Sequence, residues 1–336
     1  MSITLLSSPL QGFTDFRFRN AFHKHFGGID TFYSPYIKLN GKLVVKGSYE
    51  RDILPENNTT LEVIPQIITN DAEEFLFVAK YVQQMGYKEL NWNLGCPYPM
   101  VAKCGMGSGL ISNTSQIEHI LKRVHNETDI IVSMKMRMGY ENPTEILDVF
   151  PILEQYPIKN IAIHARIGKQ LYKGGVDLDS FQKCLDTSKL KIYYNGDITS
   201  VAKFKELEER FPSIDHWMIG RGLIADPFLP SMIKNNTTDY PKNRFEIDIL
   251  IEEKKLVVEN TLFSREEVKY FNFYLNQKIF TNGYDLRNKY SHGTNTQSEQ
   301  KHKYDYYLIL KIIILILLKI EDDIIINKNT TINNRL

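Results

Sequence analysis

Lys135 and Arg137 close one apolar run of this chain, His164 and Arg166 close another, and Asn93 with Cys96 ends a third. Asn195-Gly196-Asp197 and Gly220-Arg221-Gly222 end two more, and Pro9-Leu10-Gln11 and Gln66 stand at further run ends. Burying an unpaired charge is costly, so an apolar run that stops on lysine, histidine or arginine implies a partner for it. One such end is ordinary; a succession of them describes a site. The two glycine-containing segments suit an anion, because small residues let backbone N–H groups approach it. Asn195-Gly196-Asp197 alone is a plain turn sequence. Paired with Gly220-Arg221-Gly222 it reads as a phosphate cradle, to which Arg221 adds a planar, permanently charged fork. Cys96 lies between Gly95 and Pro97, and its thiol, with a reference pKa of ~8.5, is mostly protonated at neutral pH and can donate a proton. Cys184 falls on a helix-period stretch and reads as an inert core residue. Neither the spacing of Cys96 and Cys104 nor their neighbouring histidines fit zinc, so no metal is expected.

These residues need a scaffold that brings strand ends together. Strand-like runs occur at Ile3–Ser8, Thr31–Tyr36, Leu61–Ile68, Glu89–Leu94, Ile130–Met138, Asn160–His164, Lys191–Asn195 and His216–Gly220. Each is rich in Ile, Val, Leu or Tyr and bounded by turn residues, as buried parallel strands are. Amphipathic stretches lie between them: Asp71–Gln84 sets Phe75, Val78, Ala79 and Val82 on one face, and Ser115–His125 and Ser200–Arg210 follow the same period. The crossover around Asn40–Asn58 carries the weakest helix signal. Eight strands with alternating crossovers predict a (β/α)8 barrel, the TIM barrel. A doubly wound sheet fits less well, because no G-x-G-x-x-G follows the first strand. In a barrel the site lies at the C-terminal rim, and the loops after strands seven and eight commonly bind phosphate. The predicted barrel spans residues 1–235. Residues 236–336 form a predicted all-helical domain, with helices at Ile247–Glu259 and Ser264–Phe280. The tail beyond Leu308 reads either as a final core helix with a frayed end or as an extension.

Composition sets the outer limits. With 43% hydrophobic and 24% charged residues, the chain is neither disordered nor collagen-like. Lys and Arg number 41 against 40 Asp and Glu, so any nucleic-acid footprint must be a local patch. The stretch from Lys269 to Lys303, where Lys269, Lys278, Arg287, Lys289, Lys301 and Lys303 outweigh Asp285 and Glu299, reads either as such a patch or as a solvated helix face. The solvated face is the commoner origin of any one of these charges. Three cysteines in no paired pattern point to a reducing compartment. No basic segment precedes an apolar one at Met1–Leu10, and Leu308–Ile320 is interrupted by Lys311 and shorter than the ~20 residues of a membrane span. A soluble, cytoplasmic protein is expected, with no membrane partner.

Ser8-Pro9-Leu10-Gln11-Gly12-Phe13-Thr14-Asp15, Asn93-Leu94-Gly95-Cys96-Pro97, Lys135-Met136-Arg137-Met138-Gly139, His164-Ala165-Arg166, Asn195-Gly196-Asp197 and Gly220-Arg221-Gly222 follow one another in a familiar order. The chain resembles the tRNA-dihydrouridine synthases, flavin enzymes with an FMN-binding barrel and a smaller helical domain. The resemblance runs from the first strand to about Phe228, more weakly through Tyr270–Leu275, and fades after about Asn282. It implies reduction of the C5–C6 double bond of a tRNA uridine, using NADPH (or NADH) through FMN, with Cys96 as the proton donor. It further implies that Pro9, Leu10 and Gln11 line the flavin ring, Gln66 bonds its polar edge and Lys135 stabilises negative charge on it. Asn195, Gly196, Asp197, Gly220 and Arg221 would hold the FMN phosphate, His164 would support the cofactor, and Asn93 would orient flavin or substrate. Arg166 and Tyr172 would lie near the RNA-facing mouth. Gln11 stands where an acidic or small residue is more usual, and Ser108 where alanine is common; neither change removes a charge the reaction needs. Three competing readings remain: a small-molecule ene-reductase on an FMN barrel, a barrel aldolase using Lys135 as a Schiff-base nucleophile, and a non-catalytic RNA-binding module.

Overall fold

A computed structural model describes residues 3–39, 41–239, 265–275, 286 and 298–333. Eight parallel strands close into a barrel in sequence order: β1 (Thr4–Ser7), β2 (Thr31–Ile37), β3 (Val63–Ile67), β4 (Glu89–Leu94), β5 (Ile131–Gly139), β6 (Ile158–Ile167), β7 (Ile192–Asn195) and β8 (His216–Ile219). Every expected strand forms, and β6 extends beyond its predicted Asn160–His164 at both ends. The first, third, fifth, seventh and eighth helices, α1 (Phe16–His25), α3 (Ala72–Gln84), α5 (Thr114–Glu127), α7 (Leu178–Thr187) and α8 (Val201–Arg210), start on side-chain caps. Asp15, Asp71, Asn113, Asp177 and Ser200 each accept a first-turn N–H, meeting donors that a helix leaves unpaired. The weakly signalled second crossover holds a short α2 (Gly47–Ile53). A four-residue α4 (Pro99–Ala102) follows β4, α6 (Glu145–Leu153) follows β5, and α9 (Arg221–Ala225) and α10 (Leu229–Lys234) follow β8.

Strand alternation sorts side chains between two cores. On β5, Met134, Met136 and Met138 pack outward under the helices, while Ser133, Lys135 and Arg137 take the other face. On β4, Leu90, Trp92 and Leu94 pack outward and leave Asn91 and Asn93 inside; on β6, Ile161, Ile163 and Ala165 leave His164 and Arg166 inside. Lower in the barrel the interior is apolar, filled by Leu6, Tyr33, Ile64, Ala162, Tyr193 and Met218. The interior therefore changes from hydrocarbon to polar toward the strands' C-terminal ends, where a barrel places its chemistry.

The chain divides into two compact units, Met1–Lys242 and Asn243–Leu336. In the second, the helix expected over Ser264–Phe280 is described at Arg265–Leu275, and Glu299–Asn333 forms a long helix containing the stretch beyond Leu308. Asp305, Leu308 and Ile312 are buried at three- and four-residue spacing on that helix. Lys319 Nζ donates to Glu267 Oε1 at 3.2 Å, joining the two helices. The predicted helix at Ile247–Glu259, and Lys278, Arg287 and Lys289, lie outside the described residues. Among the described residues no helix is long and apolar enough to cross a membrane, and no group of three or more His, Cys, Asp or Glu could hold a metal ion.

Candidate functional site

Two adjoining hollows, of about 620 and 460 Å³, open at the strands' C-terminal ends and share Pro9, Leu10, Lys135, His164, Tyr172 and Arg221. They form one cleft. Asn195, Gly196, Asp197, Gly220 and Arg166 line the larger part; Gln11, Asn93 and Cys96 line the smaller. Of the residues expected to act in catalysis or to meet cofactor or substrate in the barrel, only Gln66 does not line it.

The larger part is built by the β7 and β8 loops. Asn195 donates through Nδ2 to the Met218 carbonyl at 2.7 Å, tying the two strand ends together. Gly196 has a φ of +145°, and a Cβ there would lie 2.8 Å from Val176 Cγ1. A Cβ at Gly222 would run into the Ile198 carbonyl oxygen. Gly222 keeps backbone against backbone and Gly196 lets the chain pass close under the Val176 side chain, leaving N–H groups as the natural donors to an anion. Both Asp197 carboxylate oxygens accept from arginines: Arg166 is forked onto the pair, and Arg221 Nη2 donates to Oδ1 at 2.8 Å. Burial alone would push the Asp197 carboxyl up, but the Arg166 and Arg221 contacts outweigh it and hold it below the usual aspartate range. A carboxylate only accepts hydrogen bonds, as a phosphate does. The Asp197 side chain therefore suits holding the two arginines, and its backbone suits meeting an anion.

Arg166, expected near a mouth, is only 1% exposed. It also donates to the Gly174 carbonyl at 2.7 Å and, through Nη1, contacts His164 Nε2 at 3.1 Å. A guanidinium can only donate, so Nε2 is the acceptor and the imidazole proton sits on Nδ1. Burial, reinforced by the charges of Arg137, Lys135 and Arg166, keeps His164 neutral, with its pKa well below the ordinary value. Arg221 is the exposed cation of the group, stacked 4.7 Å from the Tyr172 ring centroid.

Lys135 stands between the two parts of the cleft and has no hydrogen-bond partner among the described residues. Burial, with the Arg137 charge beside it, pushes its ammonium down to about 8, against a smaller opposing pull from Cys96. Arg137 is pinned: Nε donates to the Gly95 carbonyl at 3.2 Å and Nη1 to that of Ile167 at 2.6 Å. The wall near Pro9 and Leu10 is apolar, the middle carries an unpartnered cation, and the far end offers glycine backbone with Arg221. A flat ring with an anionic tail, such as FMN, fits this donor set.

At the other end Asn93 Oδ1 accepts from the backbone N–H of Gly95 at 3.0 Å and of Cys96 at 2.9 Å. Ser108 closes the turn from the opposite side, donating to the Cys96 carbonyl from its backbone N and from Oγ, both at 3.0 Å. Gly107, with a φ of +57°, passes so close that a Cβ would sit 2.9 Å from Cys96 Cβ. Ser108 is thus the closing group of the cysteine turn. The Tyr36 hydroxyl lies 4.0 Å from Cys96 Sγ. Burial and the neighbouring Cys96 raise the Tyr36 phenol well above its ordinary range. Cys104 is exposed, donates to the Met100 carbonyl at 3.4 Å and lines neither part of the cleft.

Gln66 is fully buried below the cleft; Nε2 donates to Asn91 Oδ1 and Oε1 accepts from Asn93 Nδ2, both at 2.8 Å. Sequence reading missed Tyr36, Phe13 and Tyr98 as lining residues. Tyr36 sits in an aromatic strand and carries no signal distinguishing it from core. Phe13 and Tyr98 follow run ends already singled out, so adjacency could have marked them.

A family model for dihydrouridine synthase (Dus) matches residues 5–305. A protein of Rickettsia bellii named as a probable tRNA-dihydrouridine synthase is 27% identical over 266 residues, 77% of this chain and 80% of that protein. The tRNA-dihydrouridine synthase B of Vibrio parahaemolyticus is 28% identical over 226 residues, 67% of this chain and 69% of its own. A solved structure of a morphinone reductase mutant in complex with tetrahydroNAD superimposes with a TM-score of 0.51 at 7% identity, covering 70% of this chain and 87% of that one. At that identity the likeness is one of fold.

Proposed function

From the premise that this chain belongs to the dihydrouridine synthase family, we propose that it reduces the C5–C6 double bond of uridine in tRNA, with FMN as its cofactor and NADPH as reductant. Once reduced by NADPH, bound FMN would supply the hydride for uridine C6. The chain's own residues do the rest. Pro9, Leu10 and Gln11 lie along the ring, Lys135 balances negative charge on it, and Asn195, Gly196, Gly220 and Arg221 hold its phosphate. Cys96 gives its thiol proton to C5, so that hydride and proton complete the reduction. The observation that carries this reading is the continuous cleft, in which a clamped thiol and an unpartnered lysine stand short of a glycine-lined anion cradle. Tyr172, with the Arg137 and Arg221 guanidiniums against its ring, lines both parts of the cleft, where its edge and hydroxyl would meet a uridine drawn out of its stack.

The direct test uses FMN-loaded protein, NADPH and tRNA lacking dihydrouridine, followed by mapping of reduced uridines. Dihydrouridine at defined positions is expected; none from loaded protein would remove the proposal. FMN affinity should fall as pH rises through about 8 and beyond, because Lys135 is cationic below that value and neutral above it. Titrating deflavinated protein from pH 6.5 to 9.5 checks this, and Lys135→Met should flatten the profile. Grip on tRNA should involve the basic residues of the second unit. Replacing Lys269, Lys301 and Lys303 together by alanine should weaken tRNA binding and reduce its salt slope by about 2 if each meets a phosphate. FMN content should stay at the parent level. A binding curve indifferent to both salt and these lysines would identify them as a solvated face.

A further inference from the structure

We infer that Gln66, Asn91 and Ser133 form a one-way chain of hydrogen bonds that sets the Cys96 turn through Asn93, which makes Asn91 a positioning residue for the proton donor. The inference rests on the reading of Cys96 as that donor. Its warrant is that every amide in the chain has its orientation dictated. Backbone N–H groups can only donate, so the Asn93 atom facing Gly95 and Cys96 must be oxygen. That turns Asn93 Nδ2 onto Gln66 Oε1 at 2.8 Å. Gln66 Nε2 is thereby directed to Asn91 Oδ1 at 2.8 Å, and Asn91 Nδ2 to Ser133 Oγ at 2.9 Å. Donation runs in one direction along all the links, an arrangement in which each bond polarises the next.

Strand register makes the chain possible. Gln66 is paired with Asn91 across β3 and β4, and Asn91 with Ser133 across β4 and β5. Gln66, Asn91 and Ser133 are fully buried, and none lines the cleft, so any influence on the reaction must pass through Asn93. Folding alone does not ask for amides here. Elsewhere in its interior this barrel packs Leu6, Ile64, Ala162 and Met218. A polar network in a barrel interior is stable only when each member is satisfied, and this one ends on the two N–H groups that shape the cysteine turn.

The test compares Asn91→Leu and Asn91→Asp in FMN-loaded protein. Leucine removes both links of Asn91 and frees the Gln66 amide to turn over. Aspartate still accepts from Gln66, and Ser133 can bond to it by rotating its hydroxyl. In Asn91→Leu, FMN content and flavin reduction by NADPH should match the parent. Single-turnover uridine reduction should fall about 10- to 100-fold, the scale of a misplaced reacting group. Asn91→Asp should recover most of it. Iodoacetamide labelling followed across pH and read by peptide mapping supplies a second measure. Cys96 should be alkylated several-fold faster in Asn91→Leu than in the parent or Asn91→Asp, while Cys184, buried on α7, stays protected. Unchanged Cys96 labelling with parent-like turnover would overturn the inference, as would Cys184 labelling that rises in step with Cys96. If Asn91→Leu does not fold, Ser133→Ala opens the same chain at its far end and should move both readouts in the same direction. Labelling reads the turn without reference to the reaction. A parent protein that makes no dihydrouridine would therefore defeat the proposed function while leaving the inference to its own result.

Discussion

Uridine reduction by FMN-loaded Cys96→Ala should be slower than in the parent by ~10²–10⁴-fold, the usual contribution of a general acid. FMN content and reduction of the flavin by NADPH should be unaffected, because neither step uses a thiol. The structure separates this outcome from simple damage. Cys96 packs in a small cluster with Ile68 and Val101, apart from the main core, and its backbone is held by Asn93 and Ser108 rather than by its side chain. Removing one sulfur leaves those bonds in place. Cys104→Ala should have little effect, since that thiol is exposed and lies outside the cleft. Single-turnover uridine reduction per bound flavin is the measurement. If Cys96→Ala matched the parent per flavin, the thiol would be a packing residue and the acid would have to be sought elsewhere in the cleft, beginning with the Tyr36 hydroxyl 4.0 Å from Cys96 Sγ.

The barrel was legible because its strands carry their own boundaries. Apolar runs flanked by Gly, Pro, Asn and Asp say parallel strand with little ambiguity, and capped amphipathic stretches between them leave few other topologies. The strand-end chemistry was legible for the same reason: residues two apart, such as Lys135 and Arg137 or His164 and Arg166, share a face. Depth was not. Spacing places Arg166 beside His164 but does not reveal that its side chain folds back onto Asp197, 31 residues later. Spacing likewise puts Gln66 at a strand end without showing that its amide is engaged by Asn91 and Asn93. A signal for that did exist. Asn91 and Asn93, and Ser133, Lys135 and Arg137, alternate with the apolar residues of strands buried on both faces, which marks a polar interior. Tyr36 was hidden by its type, since a tyrosine in a strand ordinarily reads as core. It follows a register irregularity between Tyr33 and Tyr36, and such a shift leaves no mark in composition.

The Arg166–Asp197 pair should dominate the stability of the cradle, and unequally from its two sides. Arg166 is almost wholly enclosed, whereas the Asp197 side chain keeps 26% of its surface in water and a second partner in Arg221. Asp197→Ala strands a buried guanidinium, a change that typically costs ~3–5 kcal/mol. Arg166→Met leaves a carboxylate that still has Arg221 and solvent, so its cost should be smaller. The double variant removes the stranded charge and should be more stable than Asp197→Ala alone, a coupling that independent sites do not produce. Backbone strain enters as well, because Asp197 has a φ of +43°, which alanine tolerates less well than aspartate. Asp197→Asn separates the two effects: it accepts the same backbone and keeps one oxygen for Arg166. The pH dependence has a definite sign. The Asp197 carboxyl is held below its ordinary value of 3.8, so its contribution is fully present above that value and is lost as pH falls through the lower folded value. Denaturation midpoints of the parent and the four variants, taken at neutral pH and in acid, test this together with their FMN content. A double variant whose loss equals the sum of the single losses would show that the two side chains act separately, and Arg221 rather than Arg166 would then be the group that Asp197 serves.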